Sequence, residues 1–121
     1  MPAIDYNGRT FRSINNTANG EVDGQTLFHY HQSDQIVWAT YQGGGIQWGT
    51  LIAKVDAAGR LEMRYQHINA FGELMTGECL SMPEVLSDGR IRLHEKWQWT
   101  SGDCSAGEST VEELLHLPDT P

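Results

Sequence analysis

Glu95 stands in the middle of an apolar alternation. If Ile91-Arg92-Leu93-His94-Glu95-Lys96-Trp97-Gln98-Trp99 is a strand, Ile91, Leu93, Glu95, Trp97 and Trp99 share one face, and Arg92, His94, Lys96 and Gln98 share the other. A carboxylate on such a face must be hydrogen-bonded, paired or protonated, because an isolated buried charge is costly even after relaxation. It serves there as a ligand contact, or as a general acid or base with a raised pKa. His67 falls at a comparable height when the chain is slid against itself by thirty positions. Glu95 and His67 are therefore the candidate catalytic residues.

Other constellations carry less. His29-Tyr30-His31 sets two imidazoles on one strand face, a spacing used by metal sites, but Gln32, Ser33, Asp34 and Gln35 follow where a ligating Glu is needed, so no metal is expected. The serines fall in turns, no Gly-x-Ser-x-Gly elbow occurs, and Cys79 has no adjacent activating base. Cys79 and Cys104 lack a CxxC spacing and read as free thiols of a reducing cytoplasm. Glu108, Glu112 and Glu113 read as a solvated strand face.

The elements that position these residues are short alternating or aromatic-rich runs separated by Gly, Asn, Asp and Ser pairs. Eight runs are predicted: Arg9–Asn15, Thr26–Gln32, Ile36–Gln42, Gln47–Val55, Arg60–Ile68, Leu74–Met82, Arg90–Thr100 and Glu108–Leu117. Asn19-Gly20, Asp23-Gly24, Gly43-Gly44-Gly45, Ala58-Gly59, Asp88-Gly89 and Ser101-Gly102 provide the turns. Ser109-Thr110-Val111-Glu112 also carries a capping-box pattern that competes with the last strand as a short helix. A thirty-residue shift lays Gly59-Arg60-Leu61 on Gly89-Arg90-Ile91 and Gly77-Glu78 on Gly107-Glu108, so the repeating unit is a hairpin. The expected fold is all-β, a single domain over 1–121 forming an eight-stranded antiparallel up-and-down meander barrel, which leaves no free edges.

The formal charge of −8, from sixteen acidic and eight basic residues, argues against nucleic acid and anionic membranes as partners. The first residues carry neither a basic start nor an apolar run, so secretion is not expected either.

Alternation extended to the other runs predicts Leu61, Met63, Tyr65 and His67 inside, then Ile46, Trp48, Thr50 and Ile52, then Ile36, Trp38 and Thr40. A pocket lined by Trp38, Trp48, Tyr65, Trp97 and Trp99 with Thr40, Thr50, His67 and Glu95 follows, an apolar site with a few placed polar groups. A core filled by the same rings competes with it. Val37, Tyr41 and Leu51 are left outside by this phase, and such an apolar face predicts a homo-oligomer.

Trp97-Gln98-Trp99-Thr100-Ser101-Gly102 followed by Ser109-Thr110-Val111 resembles the last two strands of the avidin and streptavidin family, and Tyr6-Asn7-Gly8 with Phe11 is similar to its first strand. The resemblance implies a barrel of avidin-like or lipocalin-like form with a pocket at one end. It implies that Asn7 contacts a ligand's polar head, that Trp97 is a pocket wall, and, more loosely, a place for Thr40. The chain carries Leu115 where that family's last strand has a ligand-binding aspartate, and its 103–107 loop lacks the family's capping tryptophan, which weakens biotin as the ligand. The whole chain also resembles small bacterial proteins labelled N-acetylglutamate synthase, through Gly72-Glu73-Leu74-Met75-Thr76-Gly77 and 93–102. That label implies acyl transfer, yet Gly43-Gly44-Gly45 leads into a strand and not into the helix N-terminus that would cradle acetyl-CoA. The expected function is binding of a small molecule without a cofactor, with acid/base catalysis by Glu95 and His67 as the alternative and a scaffold module as the third.

Overall fold

The computed structural model describes residues 4–115. Eight strands follow one another: β1 (Thr10–Asn16), β2 (Leu27–Ser33), β3 (Ile36–Gly43), β4 (Ile46–Val55), β5 (Leu61–Asn69), β6 (Leu74–Val85), β7 (Ile91–Trp99) and β8 (Ala106–Glu113). Each pairs antiparallel with the next, and β8 returns to pair with β1, so the sheet closes into a meander barrel. The 109–113 segment is strand and not helix, and the expected end of the last run at 116–117 lies outside the described residues. β6 runs on past Met82 through Pro83 to Val85. Proline is tolerated there because β6 has no β5 partner beyond Ser81 and pairs only with β7, so one side of the strand is an edge.

The inner faces of β5 and β7 follow the alternation. Leu61, Met63, His67, Ile91, Leu93, Trp97 and Trp99 are buried, with Tyr65 and Glu95 between them partly so. β3 takes the opposite phase: Val37, Ala39 and Tyr41 point in, while Ile36 is 51% and Trp38 40% exposed and Thr40 sits with them on the outer face. Residues directly opposite on paired strands share a face. Phe28 and Tyr30 of β2 are inside, so Tyr41 and Ala39, their partners, must be inside as well. In β4 a register shift between Ile46 and Trp48 leaves two consecutive residues, Gln47 and Trp48, outside. That bulge inverts the phase, so Gly49, Leu51, Ala53 and Val55 are buried while Trp48, Ile52 and, in part, Thr50 face out. Trp38, Thr40 and Trp48 are therefore not interior residues, and Val37, Tyr41 and Leu51 are not exterior ones. The apolar outer patch consists instead of Ile36, Trp38, Trp48 and Ile52.

Three inward-facing glycines receive rings from across the sheet. Gly49 lies opposite Tyr41, Gly77 opposite Tyr65 and Gly107 opposite Trp97. A Cβ on any of the three would overlap the facing ring. Small and large residues alternate around the interior in this way, which lets these three bulky side chains enter a narrow barrel.

The two ends differ. At the end where β1 begins, Tyr6 is fully buried, donates a hydrogen bond from its hydroxyl to the Gly59 carbonyl and packs near Tyr30, whose ring lies 4.8 Å from Phe11. Ile4 comes close to Gly59 beside it. This apolar plug fills the bottom of the barrel. The other end carries the connection 17–26 and the cavity.

Candidate functional site

The cavity opens beneath the 17–26 connection, between Asn16, Gly20, Glu21 and Val22 above and Phe28, Tyr41, Tyr65, Trp97 and Trp99 along the walls. Glu95 lies on its floor, flanked by Ser81 of β6 and Ser109 of β8, its cross-strand partners. The Ser81 and Ser109 hydroxyls donate to Oε2 and Oε1 respectively, each at 3.0 Å. Glu95 is deep in the barrel yet keeps some accessible surface, because it borders the open space. Burial raises its pKa to about 7, and the two serine hydrogen bonds oppose that rise.

The aromatic wall is continuous. Trp97 and Trp99 have ring centroids 5.4 Å apart, Tyr65 meets Trp99 edge-on at 5.8 Å, and Phe28 stacks on Tyr41 at 4.8 Å. The Trp99 indole N–H donates to the Asn19 carbonyl at 3.1 Å, which ties the wall to the connection above it.

His67 is 2% exposed and both of its ring nitrogens are engaged. Nε2 lies 2.7 Å from Glu21 Oε1 and Nδ1 2.8 Å from the Tyr41 hydroxyl. A carboxylate accepts, so Nε2 carries the hydrogen and Nδ1 accepts from Tyr41. Burial lowers the pKa of His67, and the Glu21 hydrogen bond partly offsets this. Glu21 Oε2 also accepts from Asn69 Nδ2 at 3.0 Å, so one acidic side chain fastens the 17–26 connection to β5. His67 and Glu95 border one cavity, but no hydrogen bond joins them among the described residues, and His67 has no free nitrogen with which to exchange a proton with a bound molecule.

Of the residues expected at the site, Tyr65, His67, Glu95, Trp97 and Trp99 meet at the cavity. Trp38, Thr40 and Trp48 are on the outer wall, as described. Asn7 is at the plugged end, exposed, with Oδ1 accepting from the Gln32 backbone N–H. Leu115 lies beyond β8 at that same end and is 62% exposed, and the cavity-facing position of the last strand belongs to Ser109. Sequence reasoning missed Glu21, Asn16, Tyr41, Ser81 and Ser109. A signal for the serines existed: they are polar residues on the inward phase of β6 and β8, opposite Glu95. His29 and His31 face outward, His31 stacked on Trp38 at 5.7 Å, and no group of three potential metal ligands occurs among the described residues.

A family model described as avidin-like protein matches residues 4–114. No curated protein and no solved structure matches the chain. Nothing in these comparisons supports the N-acetylglutamate synthase label.

Proposed function

The chain belongs to the avidin-like family, and from that membership and the cavity together we propose that it is a small-molecule-binding protein whose ligand enters beside the 17–26 connection and rests against Tyr65, Trp97 and Trp99. The observation that carries this reading is a space bounded by aromatic rings with one carboxylate on its floor. A core packed only for stability has no use for a buried, uncompensated carboxylate.

Catalysis by Glu95 and His67 is less well supported. His67 is held by Tyr41 and Glu21, so Glu95 lacks a proton-transfer partner within the cavity. The acyl-transfer alternative also lacks the helix N-terminus such a site would need, since no helix occurs among the described residues.

Titration of a metabolite library, followed by Trp fluorescence and thermal shift, tests the binding reading. Trp99→Ala is expected to weaken any ligand found by at least about tenfold, because it removes the ring at the centre of the wall. A library with no responsive compound, or a ligand bound equally well by Trp99→Ala, would overturn it.

We further propose that the chain forms a homo-oligomer through the outer face of β3 and β4, where Trp38 and Ile52 are cross-strand partners and 40% and 57% exposed. Light scattering is expected to give at least twice the 13.5 kDa of one chain. A monomer at micromolar concentration would refute this.

A further inference from the structure

Resting on the ligand-binding reading above, we propose that the cavity takes the cationic nitrogen of a small amine, seated between the Glu95 carboxylate and the rings of Tyr65, Trp97 and Trp99.

The balance of charge points that way. Glu95 and Glu21 border the cavity, and none of the eight Lys and Arg residues does. Glu21 is committed to His67 and Asn69. Glu95 holds only two neutral hydroxyls, so each of its oxygens retains acceptor capacity and its charge has no counterpart.

The hydrogen-bond inventory agrees. The hydroxyls of Ser81, Ser109 and Tyr41, the Trp99 N–H and His67 Nε2–H all donate to protein acceptors or to the His67 ring. The acceptors that remain are the spare lone pairs of Glu95 and Oδ1 of the cavity-lining Asn16, which is buried with no partner, beside the Tyr65 hydroxyl and the Trp97 N–H, which also border the cavity. A carboxylate with acceptor capacity to spare and no cation beside it favours a ligand that brings charged N–H groups, and disfavours carboxylates and phosphates.

The walls suit a cation as well. Indole and phenol faces attract a positive nitrogen within about 6 Å of the ring centre, most strongly where water is displaced. The free space is about 50 Å³, a few times what one water occupies, which fits an ammonium head on a short branched chain. The net charge of −8 draws cations toward the mouth.

Isopentylamine, isopentanol and isovalerate form a matched set of cation, neutral and anion, and their binding to the full chain is read by Trp fluorescence and calorimetry. At pH 8 the amine is expected to bind at least about tenfold more tightly than the alcohol, and isovalerate not to bind. Glu95→Gln should bring the amine-to-alcohol ratio to within about threefold, with its melting curve showing that it folds.

The wild-type pH profile gives a second measurement should that variant fail to fold. Affinity for isopentylamine is expected to rise at least about tenfold from pH 5 to pH 8, because Glu95, with its pKa near 7, becomes ionised across that range while the amine stays protonated. The titratable groups facing Glu95 or the cavity are Tyr30 from β2, Tyr41 from β3, Tyr65 and His67 from β5, Cys79 from β6 and Glu21 from the connection above. Burial raises the tyrosines and Cys79 and lowers His67. Alcohol or isovalerate binding as tightly as the amine, or a preference that survives Glu95→Gln, would refute the cationic site while leaving a ligand-binding cavity. If none of the three probes binds, and none of the library compounds does, both readings fall together.

Discussion

Glu95→Gln is expected to raise the melting temperature by up to about 10 °C at pH 8 and to leave it nearly unchanged at pH 4. In the folded chain the Glu95 pKa is raised to about 7 from an ordinary 4.5, chiefly by burial. The folded state therefore holds this proton more tightly than the unfolded state. Glu95 contributes its full stability below the unfolded value, and that contribution is lost as the pH rises through the folded one. By pH 8 the loss approaches about 3 kcal/mol as an upper bound. Glutamine keeps an oxygen to accept from Ser109 or Ser81 and offers an N–H₂ to the other hydroxyl, so the local network survives without the charge. His67 works in the opposite sense: its pKa is lowered by burial, so its contribution is lost as the pH falls below the ordinary imidazole value. Subtracting the two melting profiles cancels His67 and isolates Glu95. A difference between wild type and variant that stays flat from pH 4 to pH 8 would show that Glu95 is solvated as an ordinary carboxylate, contrary to its place on the cavity floor.

Phe11→Ala is expected to cost about 3–5 kcal/mol. Phe11 is fully buried, its ring lies 4.8 Å from Tyr30, and Tyr6 closes the barrel end beside that pair. The neighbouring rings are too stiff to fill the space, so the variant pays for an unfilled cavity as well as for lost transfer energy. Against a total stability of about 5–15 kcal/mol, this should lower the urea midpoint by about 2 M. Phe11 belongs to the plugged end and does not border the cavity proposed to bind a ligand. Molecules that remain folded should therefore bind as before. A midpoint shift below about 0.5 M would mean that the plug is not part of the cooperative core.

The barrel and its strand order were legible because β5 and β7 alternate without interruption between clear turn signals. The same rule failed at two identifiable places. In β3 both phases are apolar, so Ile36, Trp38 and Thr40 compete with Val37, Ala39 and Tyr41, and only the pairing with Phe28 and Tyr30 settles which face is inner. In β4 a single bulge after Ile46 reverses everything downstream, and nothing in Gln47-Trp48-Gly49 forecasts it except the glycine. The lining of the candidate cavity was half legible. Glu95, His67, Tyr65, Trp97 and Trp99 were found because they sit on uninterrupted strands. Glu21 and Asn16 were missed because a connection's path over a barrel mouth leaves no periodic trace. Asn7 was assigned through a local motif, which carries no information about which end of the barrel it occupies.

The pairing of Gly49, Gly77 and Gly107 with Tyr41, Tyr65 and Trp97 has a consequence for how this interior can change. The bore of the chamber is governed at the residues that have no side chain, not at the rings that visibly line it. One methyl group added at any of these three positions would push a ring off its seat toward the axis and narrow the lumen without altering a single lining residue. The volume of the chamber can thus be tuned from behind the wall, by substitutions that a survey of cavity-contacting side chains would pass over.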